Sequence, residues 1–230
     1  MPGYRVPFGQ ASPDEEPEGF DPGPVLARIV DEDLVPDNGG TAEGSIDTAW
    51  GKLAAERRGG DEVHVTMPEA EVTSRQVMVN VAAMKLGVDK ALVEETEAAI
   101  QAIDVGEPVL VCPLPGEDAV RDAPTQAQVA TVPGVEAEIG VAYTVVQTSP
   151  YARIVARSWG EGPPMTVLAA AAVHLMLSER FRPTYPRTRV VAELVDEEGE
   201  VEITVQAREA GGGPVVERVL VGGQVEALDG

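Results

Sequence analysis

The sequence predicts an α+β fold: an antiparallel sheet or meander covered by one apolar helix, with a helical hairpin and an extended N-terminal arm. Three stretches predict it. Val201, Ile203 and Val205 alternate with Glu202, Thr204 and Gln206, the period of a strand that is dry on one face and wet on the other. Residues 165–177, MTVLAAAAVHLML, are the longest apolar run, long enough for a helix to cover that dry face and too short to span a bilayer. Residues 82–100, AAMKLGVDKALVEETEAAI, place a glycine turn between two segments of helical spacing.

Residues 1–45 carry prolines at 2, 7, 13, 17, 22, 24 and 36 among many acidic residues, a composition that does not bury enough apolar surface to order itself. They are expected to form an acidic arm, anchored to a partner by one amphipathic turn at Val25, Leu26, Ile29 and Val30. The remaining residues, 46–230, are expected to form one α+β domain, helical over 46–104 and sheet-rich over 105–230. A helix is predicted over 45–58, with Ser45 as N-cap, Asp47 in the first turn and Arg57 and Arg58 at the end, so that charge matches the helix dipole. Residues 63–66 read as a short strand closed by Pro68. Thr73 or Ser74 caps a helix stopped by Gly87, and Asp89 caps a second through about residue 103.

Beyond Pro108 the texture turns valine-rich and proline-broken, and strands are predicted over 109–112, 128–132, 135–147 and 152–156. The apolar helix follows over 165–181, opened by Pro163 and Pro164 and ended by Pro183. The meander then occupies 189–195, 200–208 and 215–228, with turns at 196–199 and 210–214.

Thirty-nine acidic residues against 17 basic ones leave a formal charge of −22, which repels polyanions, so no nucleic-acid partner is expected. Cys112 is the only cysteine, which excludes an intrachain disulfide. The first residues lack the basic and apolar regions of a signal peptide, and a cytoplasmic or virion location without membrane contact is expected. The charges are unevenly spread: Arg153, Arg157, Arg180, Arg182, Arg187 and Arg189 face only Glu161 and Glu179 between residues 151 and 189. Arg180, Arg182, Arg187 and Arg189, with Val25 and Ile29 of the arm, are therefore the candidate protein-binding residues. Their expected partners are copies of this chain or other subunits with acidic surfaces.

No stretch carries a motif that names a reaction. The hairpin at 82–100 has the outline of a helix-turn-helix, but its second helix presents Glu94, Glu95 and Glu97, which suits a structural pair better than DNA. His174 has Ala170, Ala171, Leu177 and Ser178 as helical neighbours and no local carboxylate, the setting of a histidine at a core edge or subunit interface. Two distant histidines and one cysteine give no zinc spacing, the carboxylate runs lack calcium-loop spacing, and Cys112 has no neighbour to activate it. Neither a cofactor nor a metal is expected. The glycines of 159–164 match no phosphate-binding spacing. On this basis the expected function is non-enzymatic: a structural subunit of a homo-oligomer, with a phage capsid, tail or connector as its setting. The alternative is a small hotdog-like acyl-thioester enzyme or ligand-binding domain in which the alanine-rich helix is wrapped by the meander.

Overall fold

The computed structural model describes residues 3–15, 19–73, 77–178, 187–211 and 213–228. Its centre is α5 (Pro164–Leu177), in which every residue from Met165 to Met176 is buried, Thr166 and His174 included. A helix without a polar side must be enclosed on all sides. The enclosure is one mixed sheet of eleven strands, which therefore replaces the expected antiparallel meander with a single covering helix. In spatial order it runs β3 (Thr41–Thr48), β4 (Gly51–Arg58), β5 (Glu62–Thr66), β13 (Gly213–Gln224), β12 (Val201–Ala210), β11 (Arg187–Leu194), β10 (Ala152–Trp159), β9 (Ile139–Gln147), β8 (Pro108–Pro113), β7 (Gln101–Asp104) and β6 (Glu71–Val72). α5 touches seven of these strands, from β13 round to β7.

Two of the pairings are parallel, β10 with β11 and β8 with β9. Each requires a crossover. The first is α5 itself, and the second carries α4 (Glu117–Arg121) and a 3₁₀ turn at Val129–Thr131, where a strand is expected from sequence. The meander of β11, β12 and β13 is antiparallel, with Val190 opposite Ile203 and Ile203 opposite Val221, so that the apolar row faces α5. On the opposite face α2 (Val79–Leu86), α3 (Lys90–Glu95) and α4 cover β7 to β10 through a second core that includes Leu86, Val93, Cys112, Val120 and Trp159. Gly87, at φ 69°, ends α2 in the left-handed conformation that glycine adopts at least cost. Asp89 caps α3 as expected, but that helix stops at Glu95, and Ile103 belongs to β7.

Two larger corrections concern the first 58 residues. Where a helix is predicted over 45–58, the chain makes the hairpin β3–β4, turning at Gly51 with φ 101°. Pairing of Ala55 with Val65 and Arg57 with Val63 overrides the helix propensity of that stretch. The extended arm is also absent. β1 (Gly3–Val6) pairs with β2 (Gly9–Ala11) and with β14 (Glu226–Leu228), which ties the two ends of the chain together. The prolines expected to keep the segment extended instead open α1 (Pro22–Asp31): Asp21 caps it by accepting the Gly23 N–H at 2.8 Å, and Pro22 fills the first position, where no donor is needed. α1 packs on β5 and α5, with Phe20, Leu26 and Ile29 fully buried. Val25 and Ile29 therefore pack into the core of their own chain, Ile29 fully buried and Val25 reaching only the edge of a groove beside α1. Ser74, Phe181, Arg180 and Arg182 lie outside the described residues.

Because Leu26 is an interior residue here, Leu26→Ala should destabilise the protein by about 2–5 kcal/mol in denaturant unfolding. A loss below about 0.5 kcal/mol would mean that the first 45 residues do not belong to the core.

Candidate functional site

The starts of α1 and α5 meet. The Thr166 hydroxyl, in the first turn of α5, donates to the Phe20 carbonyl at 2.7 Å, and the Met165 Cε would lie 3.6 Å from a Cβ at Gly23. The loop into α5 is held against β9 because Gly162 has no side chain; a Cβ there would come within 2.6 Å of Ile139 Cδ1. The turn between β7 and β8 completes the junction. Gly106 leaves room for Phe20, and the Glu107 carboxylate sits 3.0 Å from where a Gly19 Cβ would stand. Phe20 in turn meets Trp50 edge to face, with ring centres 5.2 Å apart.

Two carboxyl groups at this junction hold their protons more tightly than ordinary ones. Burial pushes Asp21 up, partly offset by its bond from the Gly23 N–H, and the charge of Glu15 adds to the rise. Burial also raises Glu107, reinforced by Asp104 and Glu138. Both belong to segments beside helix N-termini, where the helix dipole favours negative charge, although the start of α1 offers few free donors: Pro22 and Pro24 have no N–H, and that of Gly23 is taken by Asp21. Beside the start of α1 opens a groove of about 660 Å³, lined by Asp14, Glu15, Pro24, Arg28, Ile46 and Trp50 among others. Its size suits a small molecule. Arg28 donates to Glu32 at 2.8 Å, which leaves Asp14 and Glu15 as the acidic wall.

Three other clusters compete for attention. On the outer face of the sheet, Glu56, His64 and Glu202 fall in one row across β4, β5, β13 and β12, with Gly222 between the last two. The ligand atoms of Glu62, His64 and Glu202 lie within 4.8 Å of one another, a spacing a metal ion could use. Arg58 already supplies the cation: its Nη1 donates to Glu202 and lies 3.4 Å from His64 Nε2, while its Nε donates to Glu56 at 2.6 Å. Burial opposes the charge on Glu56, yet the bond from Arg58 and the charges of Arg58 and Arg187 hold its pKa below the usual carboxylate range. Burial and then Arg58 lower His64 to about 3, and its Nδ1 has no hydrogen-bond partner among the described residues. Arg187 and Arg189 sit above this row, paired with Glu56 and Glu202, and Arg189 also lies over the Tyr151 ring.

His174 forms the second cluster. Its Nε2 lies 2.7 Å from the Ala99 carbonyl, which can only accept, so Nε2 carries the proton and Nδ1 accepts from the Tyr143 hydroxyl at 2.9 Å. Burial lowers its pKa to about 4. Both nitrogens are satisfied, and the imidazole is a buried polar tie. The third is Cys112, fully buried, its thiol pushed up to about 12 by burial, which leaves it without thiolate at neutral pH.

Thus the residues expected to bind partners separate: Val25 and Ile29 are core, and Arg187 and Arg189 belong to the network on the sheet. Asp21 and Glu107 were missed. Asp21 did carry a signal, an N-capping residue directly before a proline, whereas Glu107 reaches the site only through the fold.

No protein-family model matches the sequence, and no curated protein matches it. Solved structures do share its fold. A PhzF-family phenazine biosynthesis protein from Bacillus anthracis superposes with a TM-score of 0.66 at 10% identity, over 90% of this chain and 72% of that one. A predicted epimerase from Pseudomonas aeruginosa gives 0.59 at 15% identity, with the same coverage. A hydroxyproline epimerase from Agrobacterium vitis, solved with trans-4-hydroxy-L-proline, gives 0.52 at 12% identity, over 95% and 70%. At such identities the likeness concerns the fold alone. That fold, shared with proteins named for biosynthesis and epimerisation, overturns the expectation of a structural virion subunit. Among the described residues no helix is long and apolar enough to cross a membrane.

His174 predicts a pH effect. Its folded pKa of about 4 lies below the ordinary value of roughly 6.5, so between these pH values only the unfolded chain takes the proton, and stability falls as pH falls. His174→Gln should lose roughly 2 kcal/mol less than the wild type between pH 7 and pH 5 in urea unfolding. Equal losses would contradict the assignment.

Proposed function

We propose that this chain is an isomerase that moves a proton on a small organic molecule held where the groove beside α1 meets the junction of the two helix starts, with Asp21 and Glu107, which belong to the junction and do not line the groove, as its proton carriers. The observation that carries the proposal is the meeting of two helix N-termini at a point where two partly buried carboxyl groups flank the Gly19–Phe20 segment. Removing a proton from carbon needs a base near the reacting atom and a positive field for the charge left behind. A carboxylate whose proton affinity is raised is the better base, and the dipoles of the two helix starts supply the field. Inversion also needs a second group to return a proton. In this proposal one carboxylate takes the proton while the other carboxyl, still protonated, delivers one, and the two exchange states for the reverse reaction.

Thiols cannot play these parts here, since the one cysteine is buried in the second core. Structural neighbours described as a probable proline racemase and a hydroxyproline epimerase support a reaction at a carbon next to a carboxylate. The acidic wall of Asp14 and Glu15 would suit a substrate that also carries a positive charge.

The test is solvent exchange. Proline, trans-4-hydroxy-L-proline and other small α-amino and α-hydroxy acids, incubated with the protein in D₂O, should include one whose α-proton is replaced, as seen by ¹H NMR. Asp21→Asn and Glu107→Gln should each slow that exchange by about 100-fold or more, with thermal melts close to wild type. No exchange across the panel, or an Asp21→Asn variant as fast as the wild type, would defeat the proposal.

A further inference from the structure

Two independent features meet at one residue on the outer face of the sheet. Among the described residues, Glu62, His64 and Glu202 are the one group whose ligand atoms lie close enough together, within 4.8 Å of one another, to hold a metal ion. Among the same residues, His64 Nδ1 is the one buried side-chain nitrogen or oxygen without a hydrogen-bond partner. His64 itself is 0% exposed. A buried polar atom left without a bond costs stability, so an imidazole in this position calls for a use other than holding the fold.

The strands dictate the arrangement. His64 of β5 stands opposite Gly222 of β13, and Gly222 opposite Glu202 of β12, so no side chain separates the histidine from the glutamate. Glu62, two residues before His64 on β5, points to the same face. From His64 Nε2 the gaps are 4.0 Å to Glu62 Oε1 and 3.7 Å to Glu202 Oε1. Arg58 Nη1 sits among these three atoms: it is paired with Glu202 Oε1, 3.9 Å from Glu62 Oε1 and 3.4 Å from Nε2. A guanidinium can only donate, so Nε2 presents its lone pair there and the ring proton is on the unpartnered Nδ1. Three electron-pair donors thus converge on one point, and the fold fills that point with positive charge. Arg58 has a separate hold, from its Nε to Glu56 at 2.6 Å, that does not involve the cluster. Arg58, Glu62 and Glu202 also line a pocket of about 410 Å³, which gives an ion its way in.

We infer that Glu62, His64 and Glu202 form a site for a divalent cation of the zinc class, which takes the place of the Arg58 guanidinium tip. One imidazole nitrogen with two carboxylate oxygens is a donor set that suits zinc, whereas magnesium and calcium favour oxygen alone. Tetrahedral bonds of about 2.0 Å put ligand atoms roughly 3.3 Å apart, so modest shifts of the two carboxylates close the site, with water in the fourth position. The positive charges of Arg187 and Arg189, and the missing acceptor for the Nδ1 proton, hold the affinity to the micromolar range. The site shares no residue with the groove or the junction, so this inference and the isomerase proposal fail separately.

The untagged full chain is titrated with Zn²⁺ at pH 7 by calorimetry while the histidine ring nitrogens are followed in long-range ¹H–¹⁵N spectra. The chain has two histidines, and His174 is held by Ala99 and Tyr143, so a change at His64 alone separates this site from diffuse binding to an acidic surface. One equivalent should bind, the His64 Nε2 signal should shift with it, and Mg²⁺ at the same concentrations should leave that signal in place. Glu62→Gln, at a side chain 31% exposed, should weaken zinc at least tenfold. Arg58→Met, its folding checked by circular dichroism, removes the competing cation and should tighten zinc at least tenfold; should it not fold, the wild type and Glu62→Gln decide. An unmoved His64 signal in the wild type, an equal response to Mg²⁺, or an affinity unchanged in either folded variant would each overturn the inference.

Discussion

Everything in this structure follows from a helix that has no side to show to water. Between Met165 and Met176, α5 offers only Thr166 and His174 as polar side chains, and both are buried. Such a segment gains from burial only if apolar surface surrounds it, at roughly 25 cal/mol per Å² removed from water. One flat sheet covers one side. The strands therefore continue round the helix, and the two parallel pairings are the places where the chain crosses over to let them do so. Polar groups trapped inside are answered one by one: Thr166 by the Phe20 carbonyl, His174 by Ala99 and Tyr143. Those bonds also fix how the helix is set along its axis.

The enclosure leaves the ends of α5 as the places where chemistry can reach it. Its first turn meets that of α1, and the loops that bring them together carry acidic side chains into a region of positive helix-end potential. Burial raises the proton affinity of Asp21 and Glu107 against that field, helped by the charge of Glu15 at the first and of Asp104 and Glu138 at the second. This conflict is what distinguishes the junction from the ion network on the outer face of the sheet. There, Arg58 pairs with Glu56 and Glu202 and holds Glu56 below the usual carboxylate range. A neutralised network ties β4 to β12.

Much of this was legible in the residues, and the failures have physical causes. The strict alternation of Val201, Ile203 and Val205 with polar residues marks β12 from local pattern alone, and the Asp89 and Gly87 caps are visible for the same reason. α5 is recognisable as a helix. What its composition also implied was enclosure, because Ala169 to Ala172 leave no polar face to turn outward. Residues 45–58 are good helix formers with suitable charges at both ends, and only long-range pairing with β5 decides for strands. Residues 19–30 misled through proline: Pro22 reads as a breaker in composition, but directly after Asp21 it is a helix start. Glu107 was invisible because its neighbours Gly19 and Glu138 are distant in sequence, so the site they form exists only in the folded chain.

Burial at the junction of the two helix starts raises the proton affinity of Asp21. A ¹³C NMR titration of the Asp21 carboxyl, in the wild type and in Thr166→Val, tests it directly. The midpoint should lie above the ordinary aspartate value in the wild type and move down toward that value once the tie to Phe20 is lost and water enters. An ordinary midpoint in the wild type, or the same raised midpoint in both proteins, would contradict it.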